Sequence, residues 1–417
     1  MTQKFWHPCI LGVLILCSTS ISFAQGSAYN EIGFGTPVLS ANAVENALSG
    51  GVAMEGSRMV NDINPADWTW LARARFDASL SYQYYNATEG TLNDVQQSIQ
   101  FTGLSFGAPI YAPWHAALAL GYLPLTDAND EEIVQDNVST RQYYNEGGTN
   151  MAFVGLAGRP IQGVTLAARF DYLSGDIRHK GEITFADSEA GGGTFEADYF
   201  YRGVRPTFGL ELIGDSLGIP GVTLGAVYSL ATSLTSTYET ITTPTISTLD
   251  TVIDQPGVGR YPSSFAAGLS VHLSRRYRAE ADYFSQNFSS ASVYSPQAIA
   301  GDTNLGAGNR ISIGVERKPN LNGEYGMSFG FDRWAVRLGL SYATLPIYPT
   351  GSGGVREFSF SAGFGIPISL ETMLNLSVVA GQRIPVNTAD APKETFLRLD
   401  ADVSFSEQWF VPTQKKD

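Results

Sequence analysis

Three groups of residues in this 417-residue chain have types and spacings that invite a chemical reading. In "GLSVHLS", Ser270 and His272 stand two apart, which on a strand places a nucleophile and a base on one face. A hydrolase would also need a group to orient the histidine and donors for an oxyanion, and no motif marks either. His115 and His179 stand alone. "DANDEE", Asp127 to Glu132, offers the hard oxygens that Ca²⁺ takes, without the spacing of a defined calcium loop; it reads as a solvated loop. The expectation is a protein that is not an enzyme and holds no cofactor or metal.

The third group is ionic and periodic. Arg398, Asp400 and Asp402 alternate with Leu397, Leu399, Ala401 and Val403. Asp77, Arg169, Asp171, Arg205, Glu211, Arg278, Glu280, Asp282, Glu316 and Arg337 occupy the same kind of position elsewhere. A two-residue period belongs to a strand with one apolar and one polar face. An enclosed polar face of this kind is a conduit, a latch, or a salt-bridge lattice. The lattice is favoured, because ionisable groups sealed inside a membrane protein pair with one another.

The elements that carry these residues recur from about Arg75 onward. Phe76, Ala78, Leu80, Tyr82 and Tyr84 alternate with Asp77, Ser79, Ser81 and Gln83; Phe170 and Tyr172 flank Asp171; Tyr283 follows Asp282. The alternation predicts strands over 75–86, 95–107, 115–126, 148–158, 164–175, 199–212, 222–233, 258–273, 277–288, 309–318, 333–343, 355–365, 372–382 and 394–405, with 319–332 ambiguous. Short connections such as "GRPIQG" and "SRR" alternate with long polar ones, "TDANDEEIVQDNVST" and "SLTSTYETITTPTISTLDTVIDQPGVG" among them. That asymmetry is the pattern of an outer-membrane barrel. In hydrocarbon every backbone polar group must be paired within the protein, so a sheet can span only by closing on itself. The rival, a soluble β-sandwich, accounts less well for charged strand faces and for strand-end aromatics. The expected fold is therefore all-β, a transmembrane antiparallel barrel of about fourteen strands, 73–410, with a tail at 411–417. Trp409 and Phe410 fall where an interfacial girdle or a C-terminal assembly signal belongs.

Bulk composition agrees. Charged residues make up 16 %, glycine numbers 44, and the net charge of −14 excludes a nucleic-acid partner, which needs a basic face. Residues 1–24 read as a secretory signal, with Lys4, the apolar "CILGVLILC" and "SFA" before Gln25. A lipid anchor at Cys17 is the weaker reading, since Leu16 stands where a small residue is expected. Cys9 and Cys17 both fall in that leader, so the mature chain is expected to have no disulfide or thiolate chemistry. Outer-membrane lipid and, during insertion, the barrel-assembly machinery are the expected partners.

Residues 25–72 do not alternate. They are rich in Gly, Ala and Ser, with a helical candidate at Ala41–Leu48, and suit a plug folded into a lumen. "SGGVAMEGSRMVNDINPA", ending in Asn64, Pro65 and Ala66 before the first strand, resembles the N-terminal hatch of the FadL/TodX family of outer-membrane transporters for hydrophobic compounds. "LSFGAPI", "GFGIPI", "GQR" and "SEQWF" extend the resemblance over nearly the whole mature chain. It implies a Gram-negative outer-membrane barrel of fourteen strands closed by a hatch. A small hydrophobic ligand, a long-chain fatty acid or similar, would be captured in a pocket and released as the hatch moves, in some members through a gap in the wall. No long amphipathic hairpin for first capture is present in the loops. A FadL-like barrel serving as a scaffold or component of a secretion or attachment system is the alternative, and a general diffusion porin the third.

Overall fold

The computed structural model describes residues 26–407 apart from 57–58, 187–190, 245–250, 295–304, 321–329, 350–352, 370–371 and 388–390. Among the described residues the chain forms a closed antiparallel barrel of 14 strands. They are β1 (Ala74–Glu89), β2 (Leu92–Tyr111), β3 (Ala116–Pro124, resumed at Asp130–Gln135), β4 (Ser139–Ile161), β5 (Val164–Phe185), β6 (Gly193–Ile213) and β7 (Val222–Ser229 and Thr232–Pro244). Then follow β8 (Thr251–Tyr261 and Ser264–His272), β9 (Tyr277–Asn287), β10 (Ala307–Arg317), β11 (Ala335–Leu345), β12 (Val355–Pro367), β13 (Thr372–Pro385) and β14 (Lys393–Glu407). Pairing of β14 with β1, Asp402 opposite Ser79 and Leu399 opposite Tyr82, closes the cylinder.

Alternation decides which face is which. On β5, Leu166, Phe170 and Tyr172 lie exposed on the outside, while Arg169 and Asp171 between them are buried. Ile311 and Ile313 on β10, Leu338 and Leu340 on β11, and Phe358 and Phe360 on β12 continue the apolar belt. So continuous an apolar band is not one that water tolerates on a monomer; its physical match is hydrocarbon. No helix among the described residues is long and apolar enough to cross a membrane.

The long polar segments are a correction to the sequence reading. "TDANDEEIVQDNVST" and "SLTSTYETITTPTISTLDTVIDQPGVG" were expected as loops. Instead they contain the resumed half of β3, the start of β4, and the upper parts of β7 and β8. Thr, Val, Ile and Tyr, frequent in these stretches, are good strand formers, and a wall wetted on both sides has no reason to alternate in polarity. β4, β5 and β6 therefore reach 23, 22 and 21 residues, against 11 each for β10 and β11. At about 3.3 Å per residue and a barrel's usual tilt, one side stands on the order of 25 Å taller.

The wall is also incomplete. The ladder between β2 and β3 climbs from Tyr111 opposite Ala116, beside the turn that joins them, to Leu104 opposite Tyr122 and stops there. Above it β3 leaves the wall at Pro124, and Thr126–Asp127 pairs instead with Thr36–Pro37 of the N-terminal segment. β3 resumes at Asp130 paired to β4 alone. The side chain of Gln96 crosses the resulting gap, donating from Nε2 to Asp130 Oδ1 and the Glu131 carbonyl, each at 2.9 Å.

Candidate functional site: the luminal segment and the cavity above it

Residues 26–73 run down the lumen from the tall end to the start of β1. The helix α1 (Ala43–Leu48) is capped by Asn42, whose side chain accepts from the Glu45 amide. A 3₁₀ helix, Pro65–Trp70, is capped by Asn64. Here the Asn64–Pro65–Ala66 triplet acquires a local explanation. Asn64 Oδ1 takes the Ala66 amide at 3.0 Å, its Nδ2 donates to the Val52 and Leu210 carbonyls, and Pro65 fills the first helical position, where no N–H is required. Trp68, fully buried, stacks on Phe153 at 5.8 Å and donates to the Asn61 carbonyl.

Polar wall side chains hold the backbone of this segment. Asp402 accepts the Ala43 amide at 2.9 Å, Asp282 those of Gly51 and Val52 at 2.7 and 3.3 Å, and Asp77 that of Val60 at 2.6 Å. Arg169 Nη1 donates to the Asp62 carbonyl at 2.8 Å, Arg278 Nη1 to that of Glu55 at 3.1 Å, and Trp70 Nε1 to Glu211 at 3.3 Å. The backbone approaches so closely that the wall carries glycine at the contacts. A Cβ on Gly225 would lie 2.1 Å from the Val52 carbonyl oxygen, and one on Gly339 2.7 Å from the Leu48 carbonyl carbon.

The remaining ions of the sequence set pair within the wall. Asp171 sits between Arg169, at 2.7 Å, and Arg205, at 3.0 Å. Glu316 joins Arg278 and Arg337, each at 2.9 Å; Glu280 is 3.9 Å from Arg278, and Arg398 is 3.3 Å from Asp400. All thirteen sit on the inner face, Arg398 half-buried and the other twelve buried. Trp409 and Phe410 lie outside the described residues. Ser270 is buried with its Oγ unpartnered, while His272 faces Glu55 at 3.3 Å and Lys318 at 3.5 Å, so the two form no nucleophile–base pair. "DANDEE" gathers no metal-binding cluster among the described residues; Asp127 and Asp130 instead accept from Gln100 and Gln96 of β2.

Sequence reasoning missed Arg383, Glu394, Glu357 and Gln96. Arg383 binds Glu357 and Glu394, each at 2.9 Å, and donates to Ser27 Oγ at 2.6 Å; Glu394 also accepts the Ala28 amide. Their parity was legible: Glu394 shares its face with Arg398 and Asp400, and Glu357 with Ser359 and Ser361. Only their height, level with the start of the segment, was not.

In the segment, outside the spanning strands, Glu45 and Asp62 meet through the Asp62 amide, which donates to Glu45 Oε1 at 2.9 Å. Burial pushes both carboxyls above their ordinary range, and the charge of Asp62 pushes Glu45 further.

Above α1 a cavity of about 180 Å³ opens between the segment and the wall. Val227, Ala266, Phe284, Leu345 and Val379 give it apolar walls, and Pro37 to Ala41 its floor. Arg310 and Arg398 line it; Arg398 Nε is the atom paired with Asp400, while Arg310 Nε has no hydrogen-bond partner in the structure.

A family model described as BamG matches residues 1–416. No curated protein matches the sequence. Among solved structures, a Pseudomonas aeruginosa FadL homologue is similar at TM-score 0.62 and 10% identity, over 90% of this chain and 99% of that one. The Ralstonia pickettii toluene transporter TbuX gives 0.58 and 13%, over 88% and 98%. The Pseudomonas putida toluene transporter TodX gives 0.57 and 15%, over 90% and 100%. At these identities the likeness is one of fold: a FadL/TodX-type barrel.

Proposed function

The chain belongs to the BamG family and has a FadL/TodX-type fold, and from these two premises we propose that it is a Gram-negative outer-membrane barrel that binds a small hydrophobic molecule in its lumen and passes it inward without turnover. The cavity above α1 carries this reading. It is apolar over much of its wall, and the Arg310 guanidinium, whose Nε has no hydrogen-bond partner, suits an acidic head, so a long-chain fatty acid or a similar amphiphile is the ligand class. Residues 26–66 act as the hatch. Because Thr36–Pro37 pairs with the stretch where β3 leaves the wall, displacement of the segment would loosen the β2–β3 gap and offer an exit sideways. The ionic lattice anchors the hatch, and lipid surrounds the belt.

Proteoliposomes reconstituted with the barrel test this reading. Import of labelled oleate is expected, falling several-fold in Phe284→Arg, which places a charge in the apolar wall. Import unchanged in that variant, or absent from the native barrel, refutes the transport reading.

A second reading rests on the family description, which points to association with the barrel-assembly machinery. In it the lumen is a closed scaffold and the tall wall of β4–β6 meets a partner. Co-purification of assembly components with the native barrel, together with no import in vesicles, favours this reading over the first.

A further inference from the structure

At the tall end of the lumen three tyrosines from separate elements meet. Tyr199 on β6 and Tyr238 on β7 are directly opposed across the ladder, with ring centroids 5.0 Å apart. Tyr294, from the stretch after β9, lies 5.4 Å from Tyr238 and 6.2 Å from Tyr199, and His179 on β5 meets Tyr199 edge-on at 5.7 Å. All four are half-buried. A wall wetted on both sides has no structural need for a cluster of tilted aromatic rings facing inward. Tyr199 is on the same strand face as Tyr201 and Arg205, which places the cluster over the lumen rather than on the outer belt.

Below the cluster is a second set of rings. Phe34, from the N-terminal segment and wholly buried, touches Tyr201 at 5.4 Å and Tyr261 at 5.3 Å, both nearly perpendicular, and Phe288 at 6.3 Å. Tyr261 also lines the cavity. Phe34 thus packs between rings that continue upward to Tyr199 and a ring that opens downward into the cavity. It stands between Gly33 at φ +63° and Gly35 at φ +82°, conformations that side-chain-bearing residues rarely adopt. A Cβ on Gly35 would lie 2.1 Å from the Asp127 carbonyl oxygen, where β3 leaves the wall.

We propose that Tyr199, Tyr238 and Tyr294 form an external docking platform for the apolar body of the ligand, and that Phe34 is the door between this platform and the cavity. The inference rests on the transport reading and extends it to the route by which the ligand enters. Clustered tyrosines present broad apolar faces to which the body of an acid or its neutral ester can bind alike. Admission then requires Phe34 to leave its three aromatic neighbours, which the flanking glycines permit without moving the hydrogen-bonded stretch below.

The test uses the full-length barrel in detergent with two fluorescent probes, cis-parinaric acid and its uncharged methyl ester, followed at equilibrium and by stopped flow. Tyr199→Ala and Tyr238→Ala are each expected to weaken both probes about three- to tenfold, while Tyr→Phe at either position keeps affinity within about twofold. Arg310→Gln is expected to weaken the acid alone. Phe34→Ala is expected to accelerate the slow phase of binding several-fold, and Phe34→Leu, which keeps more of the volume, to do so less. A heat-dependent shift in gel mobility establishes that each variant is a folded barrel. Native affinity in the tyrosine variants, or an unaltered slow phase in both Phe34 variants, overturns the platform and door while leaving transport standing. Failure of the native barrel to bind either probe overturns both.

Discussion

Two stretches of the N-terminal segment are held in the lumen by different physics. Below, from Ala43 to Asp62, wall carboxylates and guanidinium groups bind backbone amides and carbonyls directly, at 2.6 to 3.3 Å, and Glu211 takes the Trp70 indole N–H. Above, around Phe34, the contacts are ring against ring. Buried hydrogen bonds are directional, and each leaves a costly orphan when broken. Aromatic contacts have a broader geometry and can be exchanged for those of another apolar body. In the transport reading proposed above, the difference separates an anchor from a movable part of one segment.

The largest effect that would sharpen this contrast lies in the ionic lattice. Arg278→Ala removes one of the two arginines on Glu316, the guanidinium beside Glu280, and the donor to the Glu55 carbonyl. It is expected to destabilise the folded barrel by about 3–5 kcal/mol, because it leaves a buried carboxylate short of its counter-charge. The temperature of the gel-mobility transition reads this directly. Tyr238→Ala in the upper half should barely move that temperature, and equal shifts in the two variants would abolish the distinction.

Asp282→Ala comes next. It strands the Gly51 and Val52 amides at a cost of about 1–3 kcal/mol each, a local loss that leaves the wall paired. Hydrogen exchange is expected to quicken at residues 43–55 and to stay unchanged in β9 and β10. Exchange that rises along the strands instead would show that anchor and wall are one cooperative unit. Gly225→Val tests the same contact from the wall side, since its Cβ would meet the Val52 carbonyl oxygen. It is expected to expose residues 43–55 to protease in a barrel that still resists unfolding.

The smallest effect is one of pH. Burial raises the carboxyls of Glu45 and Asp62, so the docked segment binds protons more tightly than the undocked one. Docking is then strongest below the ordinary carboxylate range, about pH 4, and weakens as pH climbs through the raised values. Exchange protection of α1 should fall over that interval, and Glu45→Gln should flatten the dependence. Protection around Phe34, which depends on rings, should respond less.

Much of this was legible in the residues, for a reason visible on β5 and β14. Leu166, Phe170, Leu399 and Val403 alternate with Arg169, Asp171, Asp400 and Asp402, and a strand's two-residue period converts that order into outside and inside without reference to any other part of the chain. The N-terminal stretch was legible by exclusion, as a long Gly-, Ala- and Ser-rich run ahead of the first alternating strand. Upper β7 and upper β8 were not legible, because a wall wetted on both faces imposes no alternation on "SLTSTYETITTPTISTLDTVIDQPGVG". The roles of Glu394 and Arg383 were half legible: parity put them inside, and nothing local put Ser27 beside them.

The sequence by itself determined a two-faced sheet, its strand count and the sign of each face, since those depend on the nearest neighbours along the chain. Only the tertiary structure decided which inner groups grip the segment, where β3 abandons the wall, and that Phe34 meets Tyr201, Tyr261 and Phe288. These contacts join residues up to several hundred positions apart, and their partners are fixed by the closure and stagger of the cylinder rather than by any local pattern.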